Sequence, residues 1–345
     1  MANTANLFAE KSESITLVLL TDTAKSVYPL HKNIRIIQLP LTFGITEEGN
    51  IISRKIKMLA DIRTLRKTLK DLKPSLLICS EYPYAVAAII GISGKATKIV
   101  SWEHTHFNVN LKNAFWKKLF RFTYPKLDTI VCLNKDEKEL FKPINKNVTV
   151  IPNFIQPSTG VSTLQNKNIL TVARLTAVKG ITYLLQTAKL VLQQHPHWQW
   201  KIIGDGELKN EVVDFINLEK LQHQLILQEP VNHNIQAEYQ NASLYVMTSL
   251  NECFPMVLLE ALSNGLPCIA FDCDTGPRHI ITHNEDGLLV EKENPTKLAE
   301  AIASLISNKD QRKKMGENAI ANMQRFSPDN VYELWKKLLN KKHHR

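Results

Sequence analysis

The stretch that decides the fold spans residues 249–267 and reads SLNECFPMVLLEALSNGLP. The apolar run before it, residues 244–247, predicts a β-strand, so Glu252 is expected on the loop at the strand's carboxyl end. Open α/β sheets bind their ligands at that end. A helix is predicted over residues 255–263, because proline suits a first helical turn and apolar residues follow it. Glu260 then lies inside this helix, so both carboxylates belong to one strand–loop–helix unit.

The rest of the sequence alternates apolar strands with amphipathic helices, which predicts parallel sheets covered by helices. In the first part, strands are expected at 15–20, 34–39, 76–79, 98–102 and 129–133, with a basic helix at 56–72. In the second part, strands are expected at 169–172, 200–203, 225–228, 244–247 and 267–271, with helices at 181–194, 207–219, 296–307 and 329–339. Residues 152–167 are polar and contain proline and glycine, which indicates a linker.

The 345 residues therefore suit an α/β protein of two Rossmann-like domains, 1–157 and 158–327. The helix within 328–345 is expected to pack back toward the first domain.

The excess positive charge lies entirely in the first part of the chain. Residues 1–155 contain 23 Lys and Arg against 13 Asp and Glu, and the remaining residues contain 20 of each. This asymmetry favours an anionic partner such as a membrane surface or a phosphate-bearing lipid, and a solvated basic surface is the alternative. Nucleic acid is not expected, since no helix-turn-helix, zinc-finger or RNA-stacking signature accompanies the charge.

Residues 112–121 combine cations with Phe115, Trp116, Leu119 and Phe120. They predict either an interfacial helix resting on anionic lipid or a core helix with one basic face. No apolar run approaches the ~20 residues that span a bilayer, and the N-terminus has no secretory pattern. The five cysteines have no metal-type spacing and are expected to be reduced. We therefore expect a cytoplasmic protein, peripheral on the inner membrane face if the basic half contacts lipid.

The chemistry of residues 252–260 suits a ligand with sugars at each end of a pyrophosphate. The free N–H groups at the start of the helix, including those of Met256 and Val257, can face a diphosphate. Glu260 can accept hydrogen bonds from both hydroxyls of a ribose, and Glu252 stands on the loop before it. The alternative interpretation is that Glu252 caps the helix and Glu260 is solvated.

These residues resemble the signature of glycosyltransferase family 4, the retaining enzymes of GT-B fold, whose pattern is E-x-F-x-x-V-L-L-E-A-x-x-x-G-x-P. Here Glu252, Phe254 and Glu260 occupy its first, third and ninth positions. The resemblance extends over nearly the whole chain and implies two Rossmann-like domains facing each other across a cleft. It also implies that Glu252 contacts the donor sugar and Glu260 the nucleotide ribose.

A second family motif, VARLTAVKG at residues 172–180, follows the first strand of the second domain. The resemblance implies that Arg174 and Lys179 clamp the donor diphosphate. Two cations on one strand–helix turn can neutralise a leaving group that gains negative charge, without a metal. Gly204, in the turn Gly204-Asp205-Gly206, is predicted to lie near the nucleotide, although such a turn is also common without a ligand.

In the first domain, residues 101–107 read SWEHTHF at the end of a strand. Many family members carry a Glu-His pair here, which implies that His104 hydrogen-bonds the donor sugar or its phosphate, and His106 is the less favoured of the two histidines. A zinc site on these histidines lacks a third ligand nearby. Asp272 and Asp274 form a D-x-D pattern, but GT-B enzymes generally need no metal, so a turn is expected instead.

The sequence departs from the family pattern at two places. It opens with ANTANLFAEK, which resembles the family's first helix, and the strand and glycine-rich loop that usually precede this helix are not seen. Exposed sheet edges are therefore expected in the first domain. Pro255 stands where glycine is frequent, which removes one N–H group from the donor-sugar region.

The resemblance implies transfer of a hexose or N-acetylhexosamine, with retention, from a nucleoside diphosphate sugar. UDP is the favoured nucleotide, and the acceptor is expected to be a saccharide or lipid-linked saccharide in surface polysaccharide (lipopolysaccharide or capsule) biosynthesis. Glu252 and His104 are expected to position the sugar, with no metal or other cofactor. The alternatives are a GT-B-fold UDP-sugar epimerase and a non-catalytic paralogue that binds sugar nucleotide. A nicotinamide dehydrogenase is not expected, since no G-x-G-x-x-G follows a strand.

Overall fold

The computed structural model describes residues 1–20, 29–41, 51–80, 82–91, 97–107, 114–230 and 235–340. These residues form two compact units. The first comprises Met1–Cys132, Glu137–Ile151 and the stretch from Tyr332 onward, and the second comprises Leu133–Asp136 and Pro152–Val331. The second unit begins a few residues before the predicted boundary at 158. The Ile155 N–H already donates to the carbonyl of Phe326 in the second unit (3.0 Å), which draws the predicted linker into that unit.

The strands of the first unit form two parallel sheets, β1–β2 and β3–β4–β5–β6. No strand of the described residues joins these two sheets. The strands are β1 (Thr16–Leu19), β2 (Arg35–Gln38), β3 (Leu76–Ser80), β4 (Lys98–Glu103), β5 (Thr129–Cys132) and β6 (Val148–Val150). The helices in this part of the chain are α1 (Ala2–Glu10), α2 (Ile51–Leu72), α3 (Tyr82–Gly91), α4 (Ala114–Thr123) and α5 (Lys135–Phe141).

The core of the four-stranded sheet lies around β4 and β5, all of whose residues are buried. Strand β5 (TIVC) is largely apolar, whereas β4 (KIVSWE) buries Lys98, Ser101 and Glu103 beside its apolar residues. The apolar residues Ala85–Ala88 are also buried, but they belong to α3 and pack against this sheet. Helix α2 begins at Ile51, a few residues before the predicted start. Of the predicted helix 112–121, residues 112 and 113 and the side chains of Phe115 and Trp116 lie outside the described part.

The last helix, α12 (Pro328–Leu339), contributes to the first unit. Trp335 is fully buried, and its ring centroid lies 5.2 Å from that of Trp102 on β4. The Lys98 ammonium donates to the carbonyl of Leu338 at 2.6 Å, where helix-end carbonyls lack intrahelical partners. Phe8 of α1 meets Trp335 edge to face at 5.9 Å. Helix α12 therefore packs against α1 and β4 within the first unit.

The second unit is built on one parallel sheet with the strand order β12–β11–β10–β7–β8–β9. Its strands are β7 (Asn168–Val172), β8 (Gln199–Ile203), β9 (Leu225–Gln228), β10 (Leu244–Met247), β11 (Cys268–Phe271) and β12 (Gly287–Val290). Its helices are α6 (Ile181–Gln194), α7 (Lys209–Leu218), α8 (Ile235–Asn241), α9 (Met256–Ser263), α10 (Pro295–Ser307) and α11 (Lys309–Met323). The strands that were predicted for this half are confirmed, whereas β12, α8 and α11 were not predicted.

The strand order predicts a ligand-binding crevice near the centre of the second sheet. The chain runs from β7 to β8 on one side, and β10 pairs with the other side of β7. Connections thus leave β7 and β10 in opposite directions, and the crevice outside their carboxyl ends is where such sheets bind ligands.

Among the described residues, no helix has the length and apolar character that a bilayer crossing requires.

Gly287 provides a test of how closely the strands of the second sheet pack. It pairs with Cys268 between β11 and β12, and a Cβ atom added to it would lie 2.2 Å from the Cys268 carbonyl oxygen. We expect Gly287→Ala to lower the free energy of unfolding by about 1–3 kcal/mol in urea denaturation, because a backbone carbonyl must move.

Gly160→Ala is the matched control for this substitution. Its Cβ would come closest to the amide end of the flexible Gln240 side chain, at 2.9 Å, so a change within about 0.5 kcal/mol is expected. Equal stability of the two variants would contradict the packing that this sheet shows.

Candidate functional site

The loops at the carboxyl edge of the second sheet carry most of the predicted site residues. Residues 173–180 follow β7, 204–208 follow β8, 248–255 follow β10 and 272–279 follow β11. Parallel strands bring all four loops to the same edge, although they are far apart in sequence. The site is therefore assembled by the sheet.

The central contact of this edge is an ion pair between Lys179 and Glu252. The Lys179 ammonium donates to Glu252 Oε1, and the two side chains are 20% and 14% exposed. The residues stand on the loops after the neighbouring strands β7 and β10. The pair is only partly shielded, so an anionic ligand can reach the ammonium and compete with the carboxylate for it.

Backbone contacts hold the Lys179 loop against the end of β10. The Thr248 hydroxyl donates to the Lys179 carbonyl at 2.9 Å, and the Leu250 N–H donates to the Val178 carbonyl at 2.8 Å. Gly180 has a φ of +65°, and a Cβ on it would lie 2.0 Å from the Thr248 carbonyl oxygen. Only glycine fits this approach, so the backbone at Lys179 is held in place before any ligand binds.

Arg174 begins the same loop, and its side chain is exposed. Within the described ranges it forms no ion pair, which leaves its guanidinium available to an anion. Gly204 lies beside it, because a Cβ on Gly204 would meet the Ala173 carbonyl oxygen at 1.9 Å. This backbone contact accounts for the glycine by itself and places the β8 turn next to the Arg174 loop.

The main chain around Glu252 is supported from other loops. The Thr275 hydroxyl donates to the Glu252 carbonyl, and the Asn134 amide donates to the Cys253 carbonyl at 2.8 Å. A Cβ on Gly276, whose φ is +44°, would lie 2.8 Å from the Glu252 carbonyl oxygen. Sequence reasoning did not assign these supporting contacts, since they join loops that are separated by many residues.

Helix α9 begins at Met256, with Pro255 at its N-cap. The N–H groups of Met256 and Val257 therefore belong to the first turn, where no intrahelical acceptor exists and the helix dipole is positive. Both residues are partly exposed. Phe254, in contrast, is buried and packs edge to face on Phe326 with ring centroids 5.6 Å apart. Its ring supports the loop by packing.

Glu260 lies further along α9 and has a partner that no local sequence pattern predicts. The hydroxyl of Tyr239, on α8, donates to Glu260 Oε2 at 2.7 Å. Burial raises the pKa of Glu260, and the hydrogen bond from Tyr239 acts in the opposite direction. The carboxylate is thus partly enclosed, with one oxygen held by the protein.

The two aspartates of the D-x-D pattern have separate partners. Asp272 accepts from Arg278 Nε at 2.9 Å, and the Asp274 carboxylate lies 3.5 Å from the ammonium of Lys292. Over the ranges that the structure describes, no group of His, Cys, Asp and Glu side chains has the arrangement of a metal site. The aspartates stabilise their loop through cations of the protein.

In the first unit, the two histidines after β4 have different environments. His106 Nδ1 pairs with the Glu137 carboxylate, which also accepts from the Phe107 N–H at 3.1 Å. The ring of His104 lies 4.3 Å from that of Trp102, and its Nε2 is buried with no hydrogen-bond partner among the described residues. Burial lowers the pKa of His104 to about 4, so the imidazole is neutral at pH 7. Glu103 is buried and accepts from the Tyr124 hydroxyl at 2.5 Å.

Comparison with protein families matches both halves of the chain. The family "Glycosyl transferases group 1" matches residues 158–322, and "Glycosyltransferase Family 4" matches residues 19–159. The first match contains the residues around the crevice of the second sheet.

Individual proteins agree with these families. The amylovoran biosynthesis glycosyltransferase AmsD of Erwinia amylovora is 30% identical over 245 residues, covering 68% of each chain. The GalNAc-α-(1→4)-GalNAc-α-(1→3)-diNAcBac-PP-undecaprenol α-1,4-N-acetyl-D-galactosaminyltransferase of Campylobacter jejuni is 26% identical, covering 91% of this chain and 87% of the relative. The crystal structure of Anabaena HepE in complex with UDP has a TM-score of 0.73 at 16% identity, covering 89% and 85% of the two chains. The fold is thus the two-domain GT-B fold, and the chain belongs to the group 1 glycosyltransferases of the family 4 type.

Proposed function

We propose that this glycosyltransferase moves a hexose or N-acetylhexosamine, with retention, from a UDP-sugar to a saccharide or lipid-linked acceptor in surface polysaccharide biosynthesis. The observation that carries the proposal is the grouping of Arg174, Lys179, the start of α9 and Glu260 at one sheet edge. Relatives support the finer assignment. AmsD is named for amylovoran biosynthesis, the Campylobacter jejuni relative for a PP-undecaprenol saccharide, and HepE was solved with UDP.

The proposed reaction breaks the bond between the sugar C1 and the diphosphate oxygen. The bonding electrons remain on that oxygen, the acceptor hydroxyl forms the new bond to C1, and the hydroxyl proton is released. Negative charge therefore develops on the diphosphate. Arg174, Lys179 and the N–H groups of Met256 and Val257 would stabilise this charge as fixed donors, without a metal.

The ion pair in the site suggests how donor binding proceeds. The Lys179 ammonium now contacts Glu252, and a diphosphate offers it a ligand with more negative charge. Once Lys179 turns to the phosphate, the Glu252 carboxylate can accept hydrogen bonds from hydroxyls of the sugar. His104, neutral at pH 7, is proposed as a further hydrogen-bonding residue for the sugar or its phosphate.

A turnover screen tests the proposed reaction. UDP-, GDP- and ADP-linked hexoses and N-acetylhexosamines would be incubated with undecaprenyl-diphosphate saccharides, and the anomeric configuration of the product would be read by NMR. We expect transfer from a UDP-sugar with retention. Epimerisation of UDP-N-acetylglucosamine without acceptor would point to an epimerase instead, and UDP binding without transfer or hydrolysis would point to a non-catalytic protein.

Loss of a cation should lower UDP affinity, whereas loss of the Glu252 charge should not. Lys179→Ala and Arg174→Ala each remove a charge-assisted hydrogen bond to phosphate, so UDP affinity should fall roughly 10-fold or more in calorimetry. Glu252→Gln releases Lys179, so UDP affinity should stay equal or rise, while transfer falls roughly 10²-fold because the sugar is misplaced.

Two controls test whether the change in UDP affinity arises from contacts with the diphosphate. Uridine, which has no phosphate, should bind the variants and the wild type equally. Lys313→Ala removes an exposed cation of α11 and should leave UDP affinity unchanged. If UDP affinity were indifferent to Arg174 and Lys179, these residues would have to be removed from the donor site.

We further propose that the first unit rests on an anionic membrane surface, on the inner face of the cytoplasmic membrane. The net charge of residues 1–155 supports this, as does the surface of α4. Phe122 is 64% exposed there, next to the exposed Arg121, with the Lys126 ammonium 3.4 Å from its ring centroid. An exposed aromatic ring among cations suits the interface of anionic lipid.

Vesicle sedimentation tests the membrane proposal. The protein should bind phosphatidylcholine vesicles only when phosphatidylglycerol is added, and added salt should release it because screening weakens the attraction. Phe122→Ser should weaken binding several-fold. Leu218→Ser, at a residue of the second unit that is 78% exposed, is the matched control and should bind like wild type. Equal binding to neutral and anionic vesicles would contradict the proposal.

A further inference from the structure

Tyr239 is a buried tyrosine whose hydroxyl donates a hydrogen bond to one carboxylate. The residue is 1% exposed, on the short helix α8, and its hydroxyl donates to Glu260 Oε2 at 2.7 Å. Its ring centroid lies 5.9 Å from that of Tyr245, whose own hydroxyl donates to the Val172 carbonyl at 3.2 Å. The two neighbouring tyrosines therefore have different acceptors. Tyr239 donates to a carboxylate, and Tyr245 donates to the backbone at the end of β7.

The Tyr239 contact fixes the orientation of the Glu260 side chain. A carboxylate can accept hydrogen bonds on both oxygens, and Oε2 already receives one from a rigid, enclosed donor. Oε1 accepts none from the residues that the structure describes, and Glu260 is partly exposed. The carboxylate thus presents one oxygen to a ligand while the other is held in place.

Tyr239 also affects the charge of Glu260. Burial raises the pKa of this carboxyl group, and the hydrogen bond from Tyr239 lowers it because the bond favours the ionised form. The ionised form accepts hydrogen bonds more strongly, and neither of its oxygens carries a proton. The Tyr239 hydroxyl therefore orients the Glu260 carboxylate and also favours its ionised form.

We propose that Tyr239 is a positioning residue for the donor nucleotide, which holds Glu260 so that its free oxygen accepts from the vicinal hydroxyls of the ribose. The inference rests on the proposed role of Glu260 in donor binding. Tyr239 itself need not touch the ligand, because it acts through Glu260. A purely structural role would instead make Tyr239 matter for stability alone.

Tyr239→Phe tests this inference, because it removes the hydroxyl and keeps the ring. We expect UDP to bind roughly 5- to 10-fold more weakly, and KM for the donor to rise with kcat nearly unchanged. Glu260 loses an interaction that lowers its pKa, so the pKa rises further above its usual value. Affinity is lost as pH falls through that pKa, and the acid limb of the UDP-binding profile should therefore shift to higher pH.

A comparison of UDP with 2′-deoxy-UDP isolates the ribose contact. If Tyr239 acts through Glu260 and the 2′-hydroxyl, the penalty of Tyr239→Phe should be much smaller for the deoxy nucleotide. Tyr245→Phe is the matched control, since the Tyr245 hydroxyl donates to the Val172 carbonyl. It should leave both the acid limb and the discrimination between the two nucleotides as in wild type.

Glu260→Gln separates failure of the inference from failure of the proposed function. If Glu260→Gln bound UDP as wild type and did not distinguish it from 2′-deoxy-UDP, the role of Glu260 itself would be overturned. If Glu260→Gln bound weakly while Tyr239→Phe kept the wild-type acid limb and nucleotide discrimination, only the positioning role of Tyr239 would be overturned. Circular dichroism of each variant confirms that folded protein is compared.

Discussion

The ion pair between Lys179 and Glu252 is the interaction on which the site depends. Unpaired charges are costly in a partly buried crevice, and each of these residues supplies the counter-charge of the other before a ligand arrives. The pair also joins the loops after β7 and β10, the two strands between which the crevice opens. In the proposed donor complex the diphosphate would replace the carboxylate at Lys179, and hydroxyls of the sugar would hydrogen-bond to Glu252. The resting site is therefore stable and also ready to exchange partners.

The main chain around this pair is fixed by close contacts rather than by side-chain packing alone. Gly180 and Gly276 have positive φ angles and lie against the carbonyls of Thr248 and Glu252, where a Cβ would not fit. Gly204 makes a similar approach to Ala173. Glycines at these places let the loops touch through their backbones. Donors that are held in advance need little reorganisation when charge develops, and this is the usual source of electrostatic stabilisation in enzymes.

Local sequence patterns were sufficient for the strands and for the residues on the loops after them. β10 and β11 are buried apolar runs, and Arg174, Lys179 and Glu252 stand on loops that follow strands. The limits arise where contacts join distant elements. Nothing near Glu260 indicates its bond to Tyr239, and the burial of Phe254 depends on Phe326. Helix α11 is mostly polar, so its pattern did not separate it from a loop. Such contacts form only when the folded chain brings distant segments together.

The burial of Trp335 against Trp102 has a consequence for the order in which the chain can fold during translation. The second unit is encoded almost entirely by Pro152–Val331, so its sheet can form as soon as those residues leave the ribosome. The first unit is made earlier but lacks α12 until the second unit has been synthesised. Until then, the apolar surface of β4 stays uncovered, a state that favours aggregation and the recruitment of chaperones. The first unit therefore obtains its last helix only after the residues of the second unit have been made.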